Sequence, residues 1–320
     1  MMQKKILLIR NDHIGDIVLS IGILKELKKK FPELKIDFIA SKRGVSLIEK
    51  NKDIRKKIIL SYKLKSIKDF FNYFKKIFEI RKEKYDVGID LRGAFFNILL
   101  LRFGNIKYKM GFCKENLFCR QGLDFSMKRD LKKHETENIL NLINKGLNLN
   151  LKSDFPNIVT TKEDKKKAKE IIKKNKLKKF ICVIPDTENS KKQWGLKNFD
   201  LLIKKINKKF PSYKVVLFGV DQAELGWLAK KNKKILNLGK VNLRVLYELF
   251  KRSSLIISLD VGPMHIAWAS KKKLIAIIIE YNSRSIKNIN PLGKNSYYFS
   301  GKKEEISVEQ VFKKICEVLK

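Results

Sequence analysis

Two doubly wound α/β domains in tandem are what this sequence predicts, and three observations carry the prediction. Short β-branched runs alternate with amphipathic helical stretches, the pattern of parallel sheets covered by helices. The length of 320 residues exceeds what one hydrophobic core holds comfortably. The alternation also restarts after a polar stretch at 148–157, which contains Pro156 and few core residues. The boundary falls there, with residues 1–155 as one Rossmann-like domain and 156–320 as the other. The last helix is a candidate for packing back on the first domain.

The first domain opens with a strand at 5–9, built on the run Ile6-Leu7-Leu8-Ile9, followed by a helix at 17–31. Strands at 36–40, 57–60 and 87–91 alternate with helices at 45–51, 66–81 and 93–103. A further helix at 135–147 is apolar at Ile139, Leu140, Leu142 and Ile143. In the second domain a helix at 162–174 precedes a strand at 180–184. Helix 199–210, strand 214–218, helix 222–231 and strand 234–236 follow. Next come helix 243–250, strand 255–259, helix 264–270 and strand 274–279, and an amphipathic helix at 305–319 ends the chain. Tandem domains of this kind face a central cleft at the carboxyl ends of their sheets, where the loops that carry chemistry converge.

Composition narrows the class. Apolar residues make up 44% and aromatics 10%, enough for packed cores and against global disorder. No apolar run approaches the roughly 20 residues that span a bilayer. The first residues resemble a signal peptide, but the apolar stretch stops at Arg10-Asn11-Asp12 and no small-residue cleavage site follows, so a cytoplasmic protein is expected. Cys113, Cys119, Cys182 and Cys316 lack paired zinc spacing and read as buried or incidental thiols of a reducing compartment. The net charge of +39 comes mostly from lysine spread along helices, whereas base and phosphate recognition favours arginine. No specific nucleic-acid partner is expected. A solvated cationic surface that also attracts anionic lipid headgroups fits better.

Three loops carry candidate chemistry. The first is Arg10-Asn11-Asp12-His13-Ile14-Gly15-Asp16, between the first strand and its helix. Asp16 reads either as a helix cap or as a general base at the carboxyl end of the sheet, with His13 a second, weaker candidate. The second is Asp260-Val261-Gly262-Pro263-Met264-His265. Here a buried strand ends in an acid, Gly262 permits close approach, and Pro263 suits a first helical turn whose N–H groups favour an anion. The third runs from Pro185 to Trp194; its hydroxyls, amides and Lys191-Lys192 suit a diphosphate, and a solvated loop is the plain alternative.

In order, these stretches resemble the bacterial heptosyltransferases, glycosyltransferase family 9, typified by ADP-heptose:lipopolysaccharide heptosyltransferases. The similarity extends through Asp86-Val87-Gly88-Ile89-Asp90-Leu91-Arg92-Gly93, Lys109-Met110-Gly111-Phe112, Lys192-Gln193-Trp194, Val216-Leu217-Phe218-Gly219 and Asn237-Leu238-Gly239-Lys240. The resemblance implies a GT-B fold with the donor mainly on the second domain and the acceptor on the first. It implies inversion at the anomeric carbon with no cofactor and no obligatory metal. Asp16 falls on the family's base. Lys192, Thr187 and the turn from Asp260 through Gly262, Pro263 and Met264 to His265 would hold the donor's diphosphate. Asp221 or Glu224 would bind the ribose. Arg10, with His13, would face acidic groups of the acceptor.

The sequence departs from the family pattern at three places. Val261 stands where threonine is usual, Glu188 where small or hydroxyl residues are usual, and 280–284 replace a Phe-Gly-Pro-Thr turn. ADP-heptose is therefore the default donor. The expected partners are a nucleotide-sugar donor, a glycolipid acceptor of lipopolysaccharide type and the inner face of the cytoplasmic membrane. The alternative reading is a non-catalytic sugar-nucleotide or polyanion binding protein that keeps the fold.

Overall fold

The computed structural model describes residues 4–320 except 62, 65, 114–116, 153–154, 233 and 282–285, and the side chains of 117, 118 and 120. The chain divides into two compact units, Met1–Val159 and Thr160–Lys320.

The first unit runs β1 (Lys5–Arg10), α1 (Ile14–Lys30), β2 (Lys35–Ala40), α2 (Val45–Ile48), β3 (Ile54–Ile59), α3 (Ile67–Glu83), β4 (Val87–Asp90), α4 (Phe95–Phe103), β5 (Tyr108–Phe112), α5 (Leu117–Gly122), β6 (Phe125–Met127) and α6 (Glu135–Leu147). Its sheet has the order β3-β2-β1-β4-β5-β6, and every pair is parallel. Leu7 and Ile9 of β1 pack into a core with Tyr73, Ile77 and Ile80 of α3 and Ile98 and Leu101 of α4. Ile6 and Leu8, on the opposite face by strand alternation, are equally buried. A strand covered on both sides reads as an unbroken apolar run, which is why β1 is visible in the sequence.

The second unit runs α7 (Lys162–Lys174), β7 (Phe180–Ile184), α8 (Leu196–Lys209), β8 (Lys214–Phe218), α9 (Gln222–Lys230), β9 (Ile235–Gly239), α10 (Leu243–Phe250), β10 (Leu255–Leu259), α11 (Gly262–Ala269), β11 (Leu274–Ile279), β12 (Ser296–Gly301) and α12 (Val308–Leu319). A single 3₁₀ turn, Ser190–Lys192, sits between β7 and α8, and another, Ile286–Asn288, lies between β11 and β12. The sheet order β12-β11-β10-β7-β8-β9 repeats the topology of the first unit, again with every pair parallel. Ile181, Val183, Phe199, Ile203, Val311 and Ile315 share one core. The closing helix α12 packs into the core of the second unit through Val311 and Ile315.

Both sheets thus have a switch point, between β1 and β4 in one and between β7 and β10 in the other, where neighbouring connections leave in opposite directions. The loops singled out in the sequence follow β1, β7 and β10.

Several local differences from the sequence reading have plain causes. The strands β5, β6 and β12 and the helix α5 were not expected: their sequences are short and broken by lysine, serine or glycine. Strand β3 starts earlier than 57 because its charged residues are neutralised, with Arg55 on Asp37 and Glu83, and Lys56 on Glu83. Helix α1 begins at Ile14, so Asp16 lies within its first turn rather than at the cap. Cys113 and Cys119, read as thiols, are joined in a disulfide, their Cα atoms 6.0 Å apart and within bridging range. Cys182 is a buried thiol, and burial pushes its pKa up.

Candidate active site

The candidate site of the first unit is an ion network at the end of β1. Arg10 is its hub, only 3% exposed. Its Nε donates to Asp12 Oδ1 at 3.0 Å, its Nη2 pairs with Asp16 Oδ1 at 2.7 Å and its Nη1 with Glu135 Oε1 at 2.7 Å. The Nη1 group also donates to the Leu91 carbonyl at the end of β4. Two further arginines close the network. Arg92 Nη1 reaches Asp12 Oδ2 at 2.6 Å and Arg129 Nε reaches Glu135 Oε2 at 2.9 Å. Arg129 lies over the Phe112 ring at 4.2 Å from its centroid, and its Nη2 donates to the Leu91 carbonyl at 2.8 Å. Three carboxylates thus face three guanidiniums, so a highly buried cluster carries no net charge.

Burial alone would lower the Arg10 pKa, yet Asp12, Asp16 and Glu135 together hold it above its ordinary value. Burial lowers that of Arg129, with Glu135 opposing. Among the three acids, Asp16 is the one at the surface: its side chain is 15% exposed against 4% for Asp12 and 2% for Glu135. Its neighbour His13 is exposed and caps α1 through its backbone, without a side-chain cap bond.

The structure engages Arg10 within the first unit, where it meets three acids, Asp16 among them, and a backbone carbonyl. The partly exposed cations of the cluster are Arg92 and Arg129, at 26% and 25%. Sequence reasoning gave no role to Asp12, Arg129 or Glu135, and Arg92 entered only as part of a family segment. Behind the cluster, the fully buried Asp90 accepts from Asn97 Nδ2 at 2.9 Å and from the N–H groups of Arg92, Gly93 and Ala94. Burial still raises its pKa. Asn97 in turn exchanges hydrogen bonds with Asn11. Gly93, at φ +81°, permits the turn: a Cβ there would lie 2.6 Å from the Phe112 carbonyl oxygen.

The candidate site of the second unit is built on the ends of β7 and β10. Lys192 Nζ donates to Asp260 Oδ2 at 2.5 Å and to the Asp260 carbonyl at 3.1 Å. The loop that holds Lys192 is anchored two residues on, where the fully buried Trp194 donates from Nε1 to the Ile306 carbonyl at 2.8 Å and stacks edge-on against Phe199. Thr187 Oγ1 accepts from the Asn189 N–H at 3.2 Å, and Glu188 is exposed. Asp186, at 4% exposure, accepts from the N–H groups of Val220 and Asp221 at 2.6 and 2.8 Å. That approach needs Gly219, where a Cβ would lie 2.2 Å from the Asp186 carboxylate.

One expectation changes here. Met264 is fully buried and its N–H bonds the Val261 carbonyl at 2.9 Å, while Pro263 has no N–H. The start of α11 therefore offers an anion fewer donors than its sequence suggested, with Gly262 the open approach. His265 is buried in the same helix, at 6% exposure. The Asp260 carboxylate is paired with Lys192. Of the two acids expected near the ribose, Asp221 caps α9, its Oδ1 accepting from the N–H groups of Ala223 and Glu224 at 3.0 Å each. The half-buried Glu224 carboxylate accepts from Gln193 Nε2 at 2.9 Å. Burial, with Asp221 and Asp186 adding repulsion, raises the Glu224 pKa. The turn at 282–284 lies outside the described residues.

Known proteins resemble this chain along nearly its whole length. The model of glycosyltransferase family 9 (heptosyltransferase) matches residues 74–317, which include Lys192 and the 260–265 turn, while Asp16 precedes the matched segment. Lipopolysaccharide heptosyltransferase 1 of Campylobacter coli is 27% identical over 293 residues, covering 85% of this chain and 83% of its own. Among solved structures, the family 9 glycosyltransferase of Veillonella parvula DSM 2008 superposes with a TM-score of 0.86 at 20% identity, covering 99% of this chain and 97% of that one. The ADP-heptose LPS heptosyltransferase II of E. coli gives 0.80 at 19% identity, with 98% of each chain covered. These structures share the two-unit fold.

Proposed function

The chain belongs to glycosyltransferase family 9, the heptosyltransferases, and on that premise we propose that it moves a sugar from an ADP-linked donor to an envelope glycolipid. Heptose is the default sugar and a lipopolysaccharide-type molecule the default acceptor, the substrates named for the Campylobacter coli and E. coli relatives. The observation that carries the reading is a polar cluster at the switch point of each unit. One presents a carboxylate held on an arginine, and the other an ammonium held on an aspartate.

In the proposed reaction Asp16 takes the proton of the acceptor hydroxyl as its oxygen attacks the anomeric carbon. The bond from that carbon to the diphosphate oxygen breaks on the opposite side, so the configuration inverts. ADP leaves with its developing charge offset by Lys192 and by the dipole of α11, without a metal. Lys192 is aimed beforehand by Asp260, which avoids reorganisation at the moment of charge development. Glu224 accepts from the ribose hydroxyls, and Thr187 contributes its hydroxyl to the diphosphate. Arg92 and Arg129 are the cations available to acidic groups of the acceptor. A glycolipid acceptor puts the work at the inner face of the cytoplasmic membrane. Among the described residues no helix is long and apolar enough to cross a membrane.

The test is incubation of the purified protein with ADP-heptose and heptose-free glycolipid, followed by mass spectrometry. The expected product is heavier by one heptose, with ADP released in equal amount and at an unchanged rate in EDTA. Binding of ADP-heptose with no ADP release would favour the non-catalytic reading, which Val261 and Glu188 motivate.

A further inference from the structure

Helix α3 carries a second apolar face that its own core does not use. Tyr73, Ile77 and Ile80 point inward and are buried. Ile67, Phe70, Phe71, Phe74 and Phe78 are exposed, at 78, 49, 69, 41 and 61%. At about 100° of rotation per residue these five fall on one stripe along the helix. Beside the stripe run Lys68, Lys75 and Lys82, spaced by seven, and among the described residues none of the three forms an ion pair. The acids of the helix lie further round. Glu79 is paired with Lys76, and Glu83 with Arg55 and Lys56.

Helix α4 widens the patch. Phe95 and Phe103 are each 54% exposed, two turns apart on one face, with the exposed Arg102 beside them. The rings form a continuous chain between the helices: Phe70 to Phe74 at 4.6 Å, Phe74 to Tyr73 at 5.6 Å, Tyr73 to Phe96 at 5.5 Å and Phe96 to Phe95 at 5.4 Å. The Tyr73 hydroxyl donates to the Phe96 carbonyl at 2.7 Å, which fixes α3 on α4. The exposed aromatics of α3 and α4, joined beneath the surface by Tyr73 and Phe96, mark an interaction face rather than chance exposure.

We propose that this face of α3 and α4 docks the first unit on an anionic phospholipid bilayer. Phenylalanines would enter the boundary between headgroups and acyl chains while the lysine row and Arg102 lie at headgroup level, the arrangement of interfacial helices. Charge selects the occupant. A second copy of the chain would bring two unpaired lysine rows together, whereas an anionic membrane complements them and the net charge of +39. The inference deepens the proposed function, since a lipid-borne acceptor calls for an enzyme held at the membrane. It is read without donor or acceptor, so its failure and that of the transferase reading are separable.

The experiment is co-sedimentation of the full chain with phosphatidylcholine vesicles, with and without phosphatidylglycerol. Wild type should partition onto the anionic vesicles and only weakly onto the neutral ones. Replacing Lys68, Lys75 and Lys82 by Gln should weaken anionic binding about a hundredfold, near fivefold per lysine. The double variant Phe71→Ser, Phe78→Ser should lose about tenfold per ring. These side chains are exposed, so thermal unfolding should match wild type. In a Phe78→Trp variant, which keeps the apolar face, indole emission should shift to the blue on anionic vesicles. Full binding by the double Phe variant, an indole emission of the Phe78→Trp variant that vesicles leave unmoved, or a protein dimer that the double Phe variant dissolves would each overturn the proposal.

Discussion

Arg10 shows how far a residue's chemistry can be read before its neighbours are known. An arginine at the end of a first strand suggests a hand for acidic ligands, and the sequence offers nothing against that. Glu135, which turns it inward, lies 125 positions along the chain, and no local pattern links the two. Asp16 entered the reading through its own turn, Ile14-Gly15-Asp16. The same contrast separates Asp221 from Glu224: two acids in one turn are equivalent on paper, and only hydrogen-bond geometry shows that one is spent on backbone N–H groups. The expected outcome is that Glu224→Gln weakens binding of the ADP-linked donor about tenfold by calorimetry, the loss of one charge-assisted hydrogen bond. Asp221→Asn, which keeps an acceptor for the cap, should bind as wild type. Because burial and neighbouring acids raise the Glu224 pKa, its carboxylate takes up a proton at higher pH than an ordinary glutamate does. Donor affinity should therefore fall on the acid side from above the usual carboxylate range, and the Gln variant should lack that limb.

Elements were legible where burial on both faces or strong amphipathicity wrote them into the sequence, as in β1, β10, α8 and α12. Elements whose pairing is settled by neighbours were not. Strand β6 is three residues long, and β12 interleaves Ser296, Ser300 and Gly301 with its aromatics. Helix ends carry energy as well as position. Thr161 and Asp164 form a reciprocal capping box at the start of α7, with Asp164 Oδ2 accepting from the Thr161 N–H at 2.9 Å. The same oxygen accepts from Arg244 Nε of α10 at 2.8 Å, so one buried carboxylate both caps α7 and ties it to α10. Asp164→Ala removes both the α7 cap and the buried pair with Arg244 and should cost about 3 kcal/mol in urea unfolding. Burial opposes its charge, but the Thr161 bonds and Arg244 prevail and lower the Asp164 pKa. The sign follows: its contribution is present above the unfolded value of about 3.9 and is lost as pH falls through the lower folded value. The stability gap between wild type and variant should close in that acid window.

On the scale of the molecule the sequence conveyed the plan well, because tandem repetition of one topology repeats one pattern of apolar runs. Each unit has its own core and its own sheet, with the same strand order, and the polar loops gather at the switch point of each. The charge of +39 was less readable, since lysine scattered along helices looks alike whether solvated or functional. Only the exposed rings beside Lys68, Lys75 and Lys82 give one face of that surface a meaning. In the proposed reaction labour divides between the units: proton removal on the first, charge neutralisation and donor grip on the second. The most direct measurement is single-turnover transfer together with donor affinity in an Asp16→Asn variant, which keeps a polar group beside Arg10. The account predicts a rate at least about a hundredfold lower with the donor Kd unchanged. Transfer at the wild-type rate, or loss of donor affinity in step with the rate, would contradict it.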